Sequence, residues 1–452
     1  MSANFIQCDR RTSFLLPPSI DDWLPDGHLA RFVVEIVAQL NLRSLRDSYA
    51  GRGSQAHSPA MLTALLFYGY ATGVFSSRKL ERSTYDSVAF RYIAANTHPD
   101  HDTIASFRRR FLKELSEMFV QILMIARQMG VLKLGKVSLD GSKIKANASR
   151  HRALSYGHAC KLEAQIKAEV AELLKKAEAA DRSDLPDGLS IPEELERRGK
   201  RLAAIAAAKA EIERRAAERH AREQAAYEEK IARRIKKEQE TGKKPRGKQP
   251  KPPVSGPRSS DQVNLTDEES RIMPASGGGF EQGYNAQAVA DTTSKLIISA
   301  HVTQHPNDKQ EIEPTLEHLA ALPEELGAVT DLIADSGYFS EANVTACEKQ
   351  GLTPYIAAGR KEHNEPLWDR FQEPPPLPEA ADAVTRMKHR LKTTAGKAIY
   401  ALRKTTSEPV FGIIKAVMGF RSFSMRGFEK AQGEWNLACI AWNIKRLHTL
   451  TT

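Results

Sequence analysis

Between about His158 and Lys244 the chain is dominated by Ala, Glu, Lys and Arg, with a few larger apolar residues at helical spacing. Leu162, Ile166, Val170 and Leu173 form one stripe, and Leu202, Ile205 and Ile212 form another. Between them, DRSDLPDGLSIPEE at 181–194 carries the Pro and Gly that stop a helix. One narrow stripe per arm is enough to pair two helices and too little for an independent core. The segment therefore reads as an antiparallel helical hairpin inserted into another domain, its second arm reaching roughly 70 Å at about 1.5 Å per residue. A surface excursion without function is the alternative. GKKPRGKQPKPPVSGPR follows, basic, Pro-rich and without an acid. It reads as a disordered linker, of a kind that also suits phosphate backbone.

The flanking sequence has two textures. Residues 1–130 read as helical. Ser58 and Pro59 open the apolar stretch MLTALLFYGYA as N-cap and first helical residue. Ser76 or Ser77 is suited to cap SRKLERSTYDSVAFRYIA, and Asp102 to cap TIASFRRRFLKEL. Short helices with polar turns are compatible with a helix-turn-helix-like module, with Arg108, Arg109 and Arg110 either facing DNA or forming a solvated face. From 280 the texture is α/β. GYNAQAVAD and KLIISAHVT are β-rich runs joined by the hairpin signal DTTS. EIEPTLEHLAAL reads as helix, AVTDLIAD as strand, SEANVTACEKQ as helix and LTPYIAA as strand. A Pro-rich loop at 373–382 precedes two helices, roughly 385–420 and 428–448.

Three carboxylates stand out within this order. Asp140 ends the apolar run KVSLD, Asp335 ends VTDLIAD before Ser336-Gly337, and Glu408 lies in the helical stretch SEPVFGIIKAVMGF. Acids at two strand ends and on a late helix are one way to build a divalent-metal site, because hard cations such as Mg²⁺ take oxygen ligands. Parallel strands side by side bring their carboxyl ends together. A lone Asp at a strand end is more often a turn residue or cap. Asp331 competes with Asp335 for the second position. With 66 Lys+Arg against 56 Asp+Glu, the net charge of +10 joins a carboxylate site to a basic protein, the combination expected of an enzyme acting on nucleic acid. His301 and His305 flank a strand end, where a metal is one reading and polar loop histidines are the commoner one, so no role is assigned to them. Trp435 and Trp442 read as core.

Other classes recede. No run of about 18 apolar residues suggests a membrane span, and MSANFIQCDRRTSF has no signal-peptide core. Cys8, Cys160, Cys347 and Cys439 are far apart without a CxxC pair, as expected of reduced thiols in a cytosolic protein.

The stretches GYNAQAVAD, IADSGYFS, ALRKTTSEPVFGIIKAVMGFRSFSMRG and EWNLACIAWNIKRL resemble the catalytic domain of bacterial insertion-sequence transposases of the DDE class. Residues from about Phe5 to Phe111 resemble the InsH-like N-terminal domain that accompanies it. The resemblance implies an all-α N-terminal domain at 1–130, expected to bind DNA. It also implies an α/β, ribonuclease-H-like catalytic domain at 131–450, interrupted by the hairpin and linker at 151–260. It implies catalytic and metal-binding roles for Asp140, Asp335 and Glu408, with two Mg²⁺ ions and Mn²⁺ as substitute. The family's Tyr…Arg…Glu…Lys signature runs here as Tyr400, Arg403, Glu408 and Lys415, with one extra residue between Arg and Glu. On a straight helix Glu408 and Lys415 share a face, whereas Arg403 and Glu408 lie about 140° apart. Pro409 invites a kink or fresh helix start that restores the geometry. Lys415, Arg403, Tyr400, Lys143, Tyr284, Asn285, Arg108 and Arg109 are the expected DNA contacts; Lys143 has an exposed strand lysine as its alternative. The implied activity is cleavage at element ends and strand transfer into target DNA. The implied partners are double-stranded DNA, both terminal inverted repeats and target, and a second copy forming a homodimer on DNA. The implied place is the cytoplasm, at the nucleoid. A metal-dependent nuclease without strand transfer and an inactive DNA-binding derivative are the alternatives.

Overall fold

The computed structural model describes residues 19–49, 56–180, 191–243, 247–275, 278–359, 372–378 and 381–452. Cys8, the start of the N-terminal resemblance, most of the helix break at 181–194 and parts of the linker and of the 373–382 loop lie outside the described residues. The chain divides into two compact units, one formed by Met1–Lys145 with Tyr284–Thr452 and the other by Ala146–Gly283.

In chain order the helices and strands begin with α1 (Leu29–Gln39), α2 (Arg43–Asp47), α3 (Pro59–Thr72), α4 (Ser77–Asp86), α5 (Val88–Ile93), α6 (His101–Arg110) and α7 (Leu112–Gln128). Then come β1 (Lys136–Lys145), β2 (Ala153–Ser155), α8 (Tyr156–Ala180), α9 (Ile191–Thr241), β3 (Gln262–Asn264) and β4 (Arg271–Pro274). The remainder is β5 (Phe280–Asp291), β6 (Ile297–Thr303), α10 (Ile312–Ala320), β7 (Asp331–Ala334), α11 (Glu341–Lys349), β8 (Thr353–Ile356), α12 (Ala383–Arg390), α13 (Thr394–Gly412) and α14 (Phe428–Thr451).

The first unit is built on a mixed sheet in which β6 pairs with β5, and β5, β1, β7 and β8 follow side by side. β5 and β6 are antiparallel, whereas β1–β7 and β7–β8 are parallel. The strand ahead of the insertion thus lies between strands that follow it in sequence. Among the described residues β6 has only β5 as strand neighbour, and α14 covers its outer edge with amides. Asn443 accepts from Ile297 N at 2.8 Å and donates to Ile297 O at 2.7 Å. Gln432 accepts from Val302 N at 2.6 Å. A helix lying on an open strand edge in this way removes a template for unwanted pairing.

The N-terminal helices pack on the same α14, which touches α1, α3 and α7. α3 is buried on all sides from Leu62 to Ala71, as its unbroken apolar sequence requires. Pro59 begins it, but the Ser58 and Ser76 side chains make no capping hydrogen bond. The cap of α6 is Asp100, not Asp102. Asp100 has the extended backbone a cap needs, and its Oδ1 accepts from Thr103 N at 2.8 Å. Asp102 already lies inside the helix. Trp435 is fully buried, stacks on Phe411 with centroids 5.9 Å apart, and donates to Gln287 O at 2.9 Å. Among the described residues no single helix is long and apolar enough to cross a membrane.

In the second unit α8 and α9 pair as the expected hairpin, with α9 extending over 51 residues. Its apolar cluster is Ala159, Ile166, Ile205, Ala208 and Ile212, closed by Leu154 of β2 and Val263 of β3. That antiparallel strand pair, together with β4 pairing to residues 280–283, was absent from the expectation. Both pieces are only three or four residues long, too short to show a period of two in sequence.

Candidate active site

The β1–β7 register brings the first two acids together. Lys136 pairs with Asp331, Val137 with Leu332 and Ser138 with Ile333. Asp140 and Asp335 each lie two residues beyond the last of these pairs, at the same level of neighbouring parallel strands. Asp331 sits at the opposite end of β7, beside Lys136, and its Oδ2 accepts from the Thr330 hydroxyl at 2.7 Å. A strand's length therefore separates it from Asp140, and its competition with Asp335 ends there.

Each of the two acids is anchored by a nearby glycine N–H. Gly141 N donates to Asp140 Oδ1 at 2.9 Å. Asp335 caps a short 3-10 turn at Ser336–Tyr338, and its Oδ1 accepts from Gly337 N at 2.7 Å. Gly141 has no room for a side chain, since a Cβ there would lie 2.3 Å from Gln287 Nε2. Burial pushes the Asp140 carboxyl up to about 6, with the like charges of Asp335 and Asp308 adding to it against the opposing Gly141 N–H and Arg403.

Glu408 lies on α13, which runs through Pro409 as one helix rather than restarting there. The angular mismatch with Arg403 is closed by side-chain reach. Arg403 donates to Glu408 Oε1 at 2.8 Å and lies 3.8 Å from Asp140 Oδ2. One guanidinium thus spans the first and third acids, and its Nε is buried without a partner. Tyr400 is beside it; burial raises its phenol, opposed by the Arg403 charge. α13 continues into a π-helical turn at Ile413–Val417, where Met418 N reaches Ile413 O at 2.8 Å. Such turns are frequent at functional sites. This one carries Lys415, whose Nζ donates to Ser142 Oγ at 2.6 Å, two residues past Asp140. Burial and Arg421 lower its ammonium pKa, opposed by Asp140.

The other expected DNA contacts divide. Arg109 is exposed on α6. Arg108 is buried, 7% exposed, and donates to Tyr70 Oη at 3.2 Å and Phe75 O at 2.9 Å. Its partner Tyr70 in turn donates to the buried Glu434 at 3.1 Å, so Arg108 belongs to an interior network and cannot present its charge to DNA. Tyr284 is fully buried and meets Phe423 edge-on at 5.7 Å, an interior aromatic. Asn285 is also fully buried; it donates to Asp308 Oδ1 at 2.7 Å and to His305 O at 3.1 Å. Lys143 pairs with Asp308 at 3.0 Å. These two support the site's acids rather than reaching outward. His301 and His305 are not simple loop residues either. They bond the buried Glu311 at 3.1 Å and 2.8 Å and hold its carboxyl low against its burial.

Sequence reasoning missed Asp308, Gln287 and Tyr338. Gln287 donates to Asp308 Oδ1 at 2.9 Å and accepts from the Tyr338 hydroxyl. The Gln of GYNAQ sits two residues from Asn285 on one strand, so period two alone put both amides on one face. Asp308 lies in a loop of polar residues and carries no such signal.

Among the described residues no group of three or more His, Cys, Asp or Glu is arranged to hold a metal ion. The chemistry of the donors nevertheless suits a hard divalent cation. Asp140 and Asp335 offer only oxygens, and at Asp140 burial first, then the like charges of Asp335 and Asp308, disfavour the ionised form, so its negative charge is in excess until a cation meets it. Arg403 meets part of that excess now, pairing with both Asp140 and Glu408, and so competes with a cation for the same carboxylates.

The family model described as "Transposase DDE domain" matches residues 253–444. The one described as "Transposase domain (DUF772)" matches residues 18–110. The first match includes Asp335 and Glu408 but begins after Asp140, whose place in the site rests on its strand register with Asp335. No curated protein and no solved structure matches the chain. DDE transposases depend on divalent metal and act on DNA as polynucleotidyl transferases. With one transposase domain in its helical N-terminal part and the other over its sheet and late helices, the chain belongs to the DDE-class transposases of insertion sequences and is a DNA transposase.

Proposed function

We propose that Asp140, Asp335 and Glu408 are the divalent-metal ligands of this transposase and that they serve cleavage at element ends and strand transfer alike. The observation that carries this is the equal level of Asp140 and Asp335 on neighbouring parallel strands, with Arg403 joining Asp140 to Glu408. The order β6-β5-β1-β7-β8 supports a ribonuclease-H-like catalytic domain, with the first acid on the first strand, the second after the fourth and the third on a late helix. A pair of Mg²⁺ ions, or Mn²⁺ in their place, supplies nucleophile activation and charge neutralisation at the leaving oxygen.

The protein's own groups do the rest. Asp140 and Asp335 are pre-set by the Gly141 and Gly337 N–H groups, so little ordering is needed at the moment of reaction. Lys415, fixed against Ser142, is placed to meet a phosphate close to Asp140. Arg403 and Tyr400 line the same end of the sheet, where Arg403 turns from the acids to the DNA backbone as the site is loaded. The N-terminal helices, with exposed Arg109 among their surface cations, bind the terminal inverted repeats. Two element ends must meet, so a homodimer on DNA performs the reaction, in the cytoplasm at the nucleoid.

Asp335→Asn tests the assignment. An amide keeps the shape but is a poor Mg²⁺ ligand. Cleavage and strand transfer on DNA carrying the element's own ends are expected to fall by about 10³-fold or more, since several kcal/mol of charge stabilisation is lost. Binding to those ends is expected to persist. Full activity in the variant refutes the metal role, and lost binding assigns Asp335 to structure. Joined products in the wild-type reaction separate a transposase cycle from simple nuclease action.

A further inference from the structure

Asp308 has no role in the reading above, yet its charge is felt by Asp140 and it lies close to Gly141 and Gly337. It follows β6 in the loop before α10 and is fixed by three side chains from two strands. Its Oδ1 accepts from Asn285 Nδ2 at 2.7 Å, Gln287 Nε2 at 2.9 Å and Lys143 Nζ at 3.0 Å. Its Oδ2 meets Lys143 Nζ at 3.2 Å. Gln287 is held in turn by the Tyr338 hydroxyl. The two amides of GYNAQ therefore serve one carboxylate.

The position of that carboxylate is informative. A Cβ built on Gly141, next to Asp140, would lie 3.0 Å from Asp308 Oδ1. One built on Gly337, in the turn capped by Asp335, would lie 3.5 Å from Asp308 Oδ2 and 2.9 Å from Asp335 Oδ1. Asp308 thus lies against Gly141, which follows Asp140 within β1, and against Gly337, in the turn that Asp335 caps, with Oδ1 toward the first and Oδ2 toward the second. The Lys143 ammonium answers part of its charge, and the side chain remains 20% exposed. Close by, the Oδ1 of Asn285 is buried without a hydrogen-bond partner. An unsatisfied buried oxygen beside an acid cluster is a further acceptor favouring positive charge.

We propose that Asp308 is a positioning residue of the catalytic centre. Its clamped carboxylate fixes the spacing between β1 at Asp140 and Gly141 and the turn that Asp335 caps, and adds the negative charge that tightens the hold of the two acids on a divalent cation. The inference rests on Asp140 and Asp335 being the ligands. Asp308 acts through them, as groups behind metal ligands commonly do, where substitution costs about 10–100-fold in affinity.

The test is Mn²⁺ binding to the full chain, followed by paramagnetic resonance or calorimetry, with urea unfolding measured alongside. Asp308→Asn is expected to weaken Mn²⁺ binding by about 10–100-fold. End binding should be unchanged, and strand transfer should recover as the cation concentration is raised. Lys143→Met is expected to act in the opposite direction, tightening Mn²⁺ severalfold, because it unmasks the Asp308 charge. A merely structural role would lower stability in both variants and leave the cation midpoint unmoved. Should Asp308→Asn fail to fold, the sign of the Lys143→Met shift decides. Wild-type Mn²⁺ affinity in Asp308→Asn, or weaker binding in Lys143→Met, overturns the proposal if Asp140→Asn and Asp335→Asn do lose the cation. Unchanged binding in those last two overturns the ligand assignment itself and the Asp308 inference with it.

Discussion

Asp140 bears a charge that its surroundings resist. Burial lifts its carboxyl to about 6, with Asp335 and Asp308 adding their charges. Only the neutral form is at ease in the metal-free fold, so its ionisation costs stability. That cost is absent below the usual carboxylate pKa near 4. It grows as pH rises from about 4 to about 6 and is constant above, reaching on the order of 2–3 kcal/mol. With chelator present, Asp140→Asn is therefore expected to raise unfolding free energy by up to that amount at pH 8 and by little at pH 4. Urea titrations at the two pH values check this. An equal effect at both, or a loss at pH 8, removes the charge explanation. At this scale the sequence was readable where a residue ended an apolar run. Asp140 and Asp335 announced themselves so, and strand register then placed them side by side. Arg108 and Tyr284 misled because neither a basic run nor a motif reports burial. Asp308 was invisible because its role comes from donors on β1 and β5, far away in sequence.

Element boundaries followed local chemistry where local chemistry decides. Pro59 opens α3, and Gly73 closes it with the left-handed backbone that glycine adopts readily. The long arms of α8 and α9 followed from helical spacing. No fresh helix start appeared at Pro409, since α13 carries on to Gly412 and then loosens into a π turn. Tertiary contacts override local preference there, and single-sequence spacing does not report them. How closely two helices approach was equally unreadable. A Cβ on Gly433 of α14 would lie 2.3 Å from Leu112 Cγ on α7. Gly433→Ala is expected to destabilise by about 1–3 kcal/mol through overpacking, despite alanine's better helix propensity. Leu112→Ala in the same chain should relieve much of that loss. In a double-mutant cycle the two changes should therefore couple by about 1 kcal/mol or more. Additive effects would mean that the helices do not meet at this pair.

On the scale of the molecule, the sheet of the first unit is assembled from sequence on both sides of an insertion with its own small core. β1 must wait for β5 and β7, which lie beyond the hairpin, before any of its strand pairs can form. The inserted hairpin was expected between about His158 and Lys244. The structure shifts that boundary outward, because Leu154 and Val263 belong to the hairpin's apolar cluster and a cut at 158 and 244 would strip them of their partners. The ends of the second unit, in contrast, meet each other. Ala146 N donates to Gln282 O at 3.0 Å, so a few Gly and Ser residues can span the gap left by removing 147–281. The shortened chain is expected to remain folded, with less helix by circular dichroism in proportion to the loss of α8 and α9. It should also keep a single cooperative urea transition and the Mn²⁺ binding of the full chain, since Asp140, Asp335, Glu408 and Asp308 all lie outside the excised stretch. Any drop in joining of paired ends, with cation binding intact, would then assign the arm to DNA or to a second protomer. An insoluble or unfolded product would show instead that the insertion stabilises the sheet of the first unit, and that the two units do not fold independently.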